Sequence, residues 1–547
     1  MEKLIKNKVR AILPVYKIFF YIMLGALWSL ANVGYSIGFI TWFGLVPYLF
    51  IIRNEKFKHG ILYSMLFGFS VYFFHFLWLP DAIYTRVILE VFPIWLTVPG
   101  FILSWLIMSL IALYHGLMYV IIYIAARYVS KKLGFYLYFP IIYTVLDSVF
   151  PKMFVDRLGY SQYMFFEFTQ SVDLFGVPLI TFLLISSNVS VIMIIEALIF
   201  KKGREIAFTS FLLVILAISG LSAYGSLRIK EIDKLKATSD TATVSIVQAN
   251  ITGEGKILMQ MGTIIDKYNG LTEALTDPRP DLVVWPETSI PSILYTTVNN
   301  LTSIIKVRDY NILFGTHVVR MNSQHNYSLF NALVLSDTNG QKADAYYKNK
   351  LLPFVEHIPI RQLNFLFKIV GFTPFSEGFG PSIMTVGKIR LTPNICYESL
   401  NSSYILDSMN IKDTSANLIV NATNDSWFGN SIEPKMHFHM ARFRAIETRR
   451  TMVRSTCTGY SAIIDPTGKP LMMTGLFTEE TLTSQVPLLS EDTIYMKWGR
   501  FFIWVLSIIL ILLIIYRRIV IYKITEKRKQ KLALVHHQTE LKKMWYD

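Results

Sequence analysis

Residues 241–250 read TATVSIVQAN, and the character of the chain changes there. Upstream, long apolar runs follow one another with little interruption. From this stretch onward, short β-branched runs alternate with helix-like patterns, as in a mixed α/β domain. The pattern places strands at 242–249, 281–286, 311–318, 331–337, 342–348, 383–396, 416–423, 459–465 and 482–487. It places helices at 257–276, 291–305, 402–410 and 434–450.

Toward the N-terminus, seven stretches are apolar enough to enter a bilayer: 18–33, 35–52, 61–80, 93–125, 134–150, 176–200 and 206–224. An eighth, 500–516, follows the α/β region. The fourth is long enough for a tilted helix or one with a reentrant end. The chain is 53% hydrophobic with a mean hydropathy of +0.42, which excludes an ordinary soluble protein. We therefore expect a transmembrane domain over 1–225, an outer α/β domain over 226–499, and a final helix with a basic tail over 500–547.

Charge sets the expected orientation. Lys and Arg crowd the N-terminal tail, the loops RNEKFKHG (53–60), RYVSKKLG (127–134) and KKGRE (201–205), and the tail after 516. With eight spans all of these fall on one side, so both termini are expected in the cytoplasm and the α/β domain on the opposite face. The formal charge of +15 is thereby explained by topology and gives no reason to expect nucleic acid. Two cysteines, Cys396 and Cys457, make neither a disulfide framework nor a zinc pattern. His437 and His439, two apart on a helix, do not share a face as paired metal ligands would.

Three strand ends carry reactive groups in apolar settings. VVWPETSIP contains Glu287, AYYKNKLLPFVEHIP contains Lys348 and Glu356, and NICYESL contains Cys396. Brought side by side, a carboxylate would take the thiol proton, the thiolate would attack a carbonyl, and the ammonium would stabilise the negative charge. Taken singly, each has a plainer reading: a buried small cysteine, a glutamate near a helix start, a solvated lysine at a sheet edge. Cys457 reads as structural, and a Cys396–Cys457 disulfide would abolish the nucleophile.

In order, W-P-E, Y-x-K-x-x-L-x-P-F-x-E and C-Y-E resemble the Glu-Lys-Cys motifs of the nitrilase superfamily. NATNDSWFGNSIEPKMHFHMARFRAIETRR and STCTGYSAIIDPTGK extend the resemblance. Set between N-terminal spans and one C-terminal span, with LGYSQY at 158–163, the chain resembles the apolipoprotein N-acyltransferase family along nearly its whole length.

The resemblance implies an αββα nitrilase-like sandwich with Cys396 as nucleophile, Glu287 as general base and Lys348 as catalytic lysine. Lys350, a nearby competitor, stands where the family usually has His. Glu356, Glu398, Tyr397 and Trp427 match further functional positions, with the Tyr397 amide a candidate oxyanion donor. The implied substrates are a phospholipid donor, typically phosphatidylethanolamine, and the diacylglyceryl cysteine at the start of an apolipoprotein. The implied setting is the bacterial inner membrane, with a periplasmic catalytic domain and no metal or organic cofactor.

A membrane-anchored amidase using water would employ the same three residues. Val355 replaces a usual Gly, QANITGEGKIL lacks a usual Trp, and DRLGYSQY lacks a usual Pro-Trp. The aromatic stretch 362–375 reads as a lid that dips into lipid, or as packing inside the domain. The arginines of MARFRAIETRRTMVR read as structural, with contact to head-group phosphate as the other reading.

Overall fold

The computed structural model describes residues 14–85, 97–129, 133–275, 277–321, 327–358 and 373–546. The N-terminal part is a helical body. Its main helices are α1 (Pro14–Ser29), α2 (Phe57–His75), α3 (Thr97–Val129), α4 (Leu133–Val149), α5 (Val177–Phe200) and α6 (Arg204–Thr238). Among the described residues, four helical segments are long and apolar enough to cross a membrane: Val98–Val129, Val177–Phe200, Arg204–Thr238 and Phe501–Lys527. Val15–Ser29, Gly38–Ile52 and Tyr138–Val149 are shorter apolar segments.

The stretch expected as one span over 35–52 is instead broken into a 3-10 turn, Gly38–Trp42, and a short helix, Val46–Ile52. Packing explains the break. A Cβ on Gly38 would run into the Ser161 carbonyl, so only glycine lets the two backbones approach. The buried side chain of Asn188 then replaces the missing helical bonds. Its Nδ2 donates to Thr41 O at 2.7 Å and its Oδ1 accepts from Leu45 N at 2.8 Å.

The α/β domain begins where α6 ends. Its strands are β1 (Thr241–Gln248), β2 (Leu282–Val284), β3 (Ile293–Tyr295), β4 (Ile312–Met321), β5 (Tyr327–Ser336), β6 (Lys342–Tyr347), β7 (Met384–Val386), β8 (Ile389–Ile395), β9 (Asn410–Ile411), β10 (Thr414–Ser415), β11 (Leu418–Thr423), β12 (Thr451–Thr456), β13 (Ala462–Ile464), β14 (Pro470–Met473) and β15 (Glu480–Pro487). Its helices are α7 (Gly253–Leu258), α8 (Met261–Glu273), α9 (Ser402–Met409) and α10 (Glu433–Thr448); α11 (Phe501–Tyr546) follows the domain.

One sheet runs β15-β1-β2-β4-β5-β6 with β3 beside β4, and the other runs β14-β13-β12-β11-β8-β7. Leu282, Val284 and Leu333 of the first sheet share a core with Leu391, Val420 and Val453 of the second. The outer face of the first sheet packs on α8 through Ile264 and Tyr268, and that of the second on α9 and α10 through Ile405 and Ala441. The result is the expected αββα sandwich.

Two local expectations are corrected. Residues 291–305 hold β3 and turns, because Pro291, Thr296, Thr297 and Val298 disfavour helix and Ile293–Tyr295 finds a partner in β4. TMVRST at 451–456, unassigned above, is the central strand β12, paired parallel to β11 despite its buried arginine.

The domain is welded to the helical body. Met436, Met440, Phe443 and Ile446 of α10 lie in the same apolar cluster as Phe76, Tyr160 and Leu184. The arginines of this segment are structural. Arg444, Arg449, Arg450 and Arg454 are essentially inaccessible to solvent. Arg449 donates to Asp173 Oδ2 at 2.8 and 3.0 Å and to Gln170 Oε1 at 2.6 Å, bridging the two parts. Arg449→Met is expected to leave the buried Asp173 with the half-buried Arg228 and the Tyr224 hydroxyl in place of its buried cation, and to cost about 3–5 kcal/mol. A lowered melting temperature in detergent and faster proteolysis at the seam would show this; an unchanged melt would refute it.

Candidate active site

The site forms where strands of both sheets end. β2 runs into Trp285-Pro286-Glu287, and Gly315 of β4 packs directly under that turn. A Cβ at 315 would lie only 2.5 Å from Pro286 O and Thr288 N, so glycine is required there. Glu287 is 6% exposed, and its Oε1 accepts a hydrogen bond from Asn331 Nδ2 at 2.7 Å. Lys348 follows β6, is 2% exposed, and lies 3.6 Å from Glu287 Oε1 and 2.9 Å from Glu356 Oε1. Glu356 Oε2 accepts from Leu352 N at 2.8 Å, which closes the loop on which it sits.

Cys396 ends β8 and opens the 3-10 turn Cys396–Leu400. It adopts φ +51°, a strained conformation for a residue with a Cβ, and is half-buried with a free thiol. Strain of this kind at a strand-to-helix turn lifts a side chain out of the sheet end. Tyr397 is the second residue of that turn, so its N–H has no partner within the turn. Its side chain packs against the apolar cluster of the helical body.

Glu398 ties the Cys396 turn to the lysine loop. One carboxylate oxygen accepts from Ile395 N and Tyr346 OH, both at 2.7 Å; the other accepts from Asn349 N at 2.7 Å and Lys350 N at 2.9 Å. Lys350 turns away, its ammonium 5.7 Å above the Tyr404 ring. Lys348 alone of the two therefore reaches Glu287.

Trp427 is half-buried in the 3-10 turn Asp425–Phe428, and its neighbour Phe428 meets Trp78 edge-on at 5.3 Å. Asp425 is held by Arg454 at 2.9 Å and His437 at 3.1 Å. His437 Nε2 lies 3.4 Å from Ser399 Oγ, which donates to Cys396 O at 2.9 Å, so the Cys396 turn is braced from beneath. Asp425, Glu433 and His437 lie close enough to share a cation, with Asp425 already paired to Arg454.

Burial dominates the protonation states. It pushes the Cys396 thiol well up, as does the charge of Glu287, against the opposing pull of Lys348 and a hydrogen bond to Thr423. Burial also raises the Glu287 carboxyl, countered by Lys348. For Lys348, burial works to lower its pKa, but Glu356 and Glu287 outweigh it and keep the ammonium charged. The site thus sets a thiol, a carboxyl group and an ammonium side by side, a set of groups that can pass a proton from sulfur to carboxylate.

Sequence reading missed Asn331, which bridges Glu287 and Glu356 at 2.7 and 3.2 Å, and Lys256, which lies behind Glu287. A polar residue in the strand candidate 331–337 was the available signal for the first; none pointed to the second. Cys457 is buried and free, its thiol donating to Glu287 O at 3.3 Å, so it forms no disulfide with Cys396. Most of the lid candidate, 362–372, lies outside the described residues. At its end, Phe375 N donates to Glu356 O at 2.9 Å and the Phe375 ring packs on His317.

The fold and these side chains define a carbon-nitrogen hydrolase-type domain, and the family profile Carbon-nitrogen hydrolase matches residues 243–493. The profile Apolipoprotein N-acyltransferase N-terminal domain matches 24–190. Relatives named apolipoprotein N-acyltransferase match over much of the chain. That of Geobacter metallireducens is 26% identical over 88% of this chain and 92% of its own. That of Pasteurella multocida is 25% identical over 91% and 95%, and that of Bdellovibrio bacteriovorus 28% identical over 68% and 71%. The chain belongs to the apolipoprotein N-acyltransferase family.

Proposed function

We propose that this protein moves an acyl chain from a phospholipid, through a thioester on Cys396, to the α-amino group of the N-terminal S-diacylglyceryl cysteine of apolipoproteins. The observation that carries this reading is the joining of Cys396, Glu287 and Lys348 directly above an apolar helical body. Tyr397 and Leu400, both within the Cys396 turn, pack into that body. Phosphatidylethanolamine is the donor we favour. We place the protein in the bacterial inner membrane with both termini cytoplasmic and the catalytic domain periplasmic.

In the first half-reaction, Glu287 takes the thiol proton as the sulfur attacks the sn-1 ester carbonyl. Lys348 and the Tyr397 N–H stabilise the oxyanion. Collapse breaks the C–O bond, and Glu287 returns its proton to the departing lysophospholipid alkoxide. In the second, the amine attacks the thioester while Glu287 accepts its proton. The thiolate leaves beside Lys348 and is reprotonated by Glu287, restoring the enzyme. Glu356 and Asn331 hold Lys348 and Glu287 in place, and Glu398 holds the two loops together.

The pH dependence follows from burial. Glu287 acts only as carboxylate, and its pKa lies above the ordinary value of 4.5. Acylation is therefore expected to fall as pH drops, along a limb set higher than an exposed glutamate would give, as stopped-time mass spectrometry would read. A limb at or below the ordinary carboxylate value would contradict this assignment.

Function is tested by incubating the detergent-purified protein with labelled phospholipid and seeking the acyl adduct on Cys396. Adding a diacylated lipopeptide should clear the adduct and acylate the peptide. Equal clearance by water alone would identify a hydrolase instead.

A further inference from the structure

Behind Glu287 lies a second lysine. Lys256 stands on α7, and its Nζ lies 3.0 Å from Thr288 Oγ1, 3.3 Å from Cys457 Sγ and 3.5 Å from Glu287 O. Cys457 Sγ donates to the same Glu287 carbonyl at 3.3 Å, and Asn424 Nδ2 reaches Thr288 Oγ1 at 3.5 Å. The loop after β1, the end of β11 and the end of β12 thus converge on one peptide, the one that follows Glu287. That peptide is strained: Thr288 has φ +48°, which a β-branched residue adopts only when its surroundings compel it.

Charge gives a second, independent argument. Glu287 faces Lys348 from the end of β6, Glu356 from the loop beyond it, Cys396 from β8, Cys457 from β12, Asn331 from β5 and Lys256 from α7. His317 of β4, held neutral by burial, lies within range of Lys256 and Glu356. Lys348 is thus one ammonium between two buried carboxylates, at 3.6 and 2.9 Å. The cluster is neutral only when Lys256 is counted, and a buried excess of negative charge is costly.

We infer that Lys256 is a positioning residue of the acyl-transfer site, bracing the Thr288 turn and setting a second cation behind the Glu287, Lys348 and Glu356 cluster. This rests on the reading of Glu287 as the general base. The charge of Lys256 acts on Glu287 through space, and its hydrogen bonds fix where the carboxylate points. The role also accounts for Cys457, whose thiol completes the cradle.

The experiment measures adduct formation on Cys396 across pH 4.5–9, in full-length protein in detergent, for wild type, Lys256→Met, Lys256→Arg and Glu287→Gln. Loss of the cation raises the Glu287 pKa, so the acid limb in Lys256→Met should move up by about one pH unit. Lys256→Arg should restore the limb to within a few tenths of a unit of wild type. A Lys256→Met limb that coincides with wild type, or one that moves equally in Lys256→Arg, overturns the inference. If Lys256→Met does not fold, Lys256→Gln carries the same test, since it keeps a donor for Thr288 without the charge. Adduct formation that survives in Glu287→Gln would instead refute the base assignment itself, a result separable from any behaviour of Lys256.

Discussion

Cys396→Ala is expected to carry no acyl adduct, and its transfer of acyl chains to a diacylated lipopeptide should fall by a factor on the order of 10⁴ or more. The loss is that large because no neighbouring group can replace the sulfur. Cys457, the second thiol, is buried behind Glu287 with its Sγ committed to the Glu287 carbonyl. Cys396→Ser should fail nearly as completely, since a hydroxyl is a poorer nucleophile and leaving group than a thiol.

Stability should tell the opposite story. Cys396 holds φ +51°, a conformation glycine adopts without penalty, so Cys396→Gly should melt within about 1 kcal/mol of wild type while being inactive. That pairing would mark the backbone strain as the cost of presenting the thiol. Transfer activity persisting in Cys396→Ala would remove the thioester from the mechanism.

Lys348→Met should be nearly as damaging to activity and far more damaging to stability. The ammonium lies between Glu287 and Glu356, and all three side chains are buried. Its removal leaves two carboxylates facing each other without a counter-charge, at a cost of about 3–5 kcal/mol. Both would take up protons, and a protonated Glu287 accepts nothing from a thiol.

The sign with pH is distinctive. Carboxyls whose folded pKa is raised lose stability as pH climbs above their unfolded pKa, so Lys348→Met should trail wild type by more at pH 8 than at pH 5. Adding Glu356→Gln to Lys348→Met should recover part of the melting temperature but none of the adduct. A Lys348→Met deficit independent of pH would mean that the three groups are not coupled as described.

Much of this site was legible because its chemistry lies in short ordered segments. Glu287, Lys348, Glu356, Cys396 and Glu398 each end a strand or follow one closely, and each is recognisable with its immediate neighbours. The choice between Lys348 and Lys350 was harder. Side chains two apart on an extended strand share a face, so strand geometry alone does not separate them; the motif favours Lys348, and the structure places Lys348 between Glu287 and Glu356 and Lys350 over Tyr404. The arginines after Ala441 posed the reverse problem. A run so basic resembles a phosphate site, yet Arg444, Arg449, Arg450 and Arg454 are buried among Tyr160, Asp173, Glu491 and Asp425.

By itself, the sequence determined where apolar runs give way to alternating strands and which residue types stand at the strand ends, because periodicity and turn chemistry act over a few neighbouring residues. Only the tertiary structure decided that 35–52 breaks around Gly38, that β12 is a central strand, and that Lys256 reaches a peptide 31 residues away and a thiol 201 away. The reason is physical. Such contacts come from how the two sheets and the helical body fill space together, and no local propensity encodes which distant side chains that packing brings within hydrogen-bonding reach.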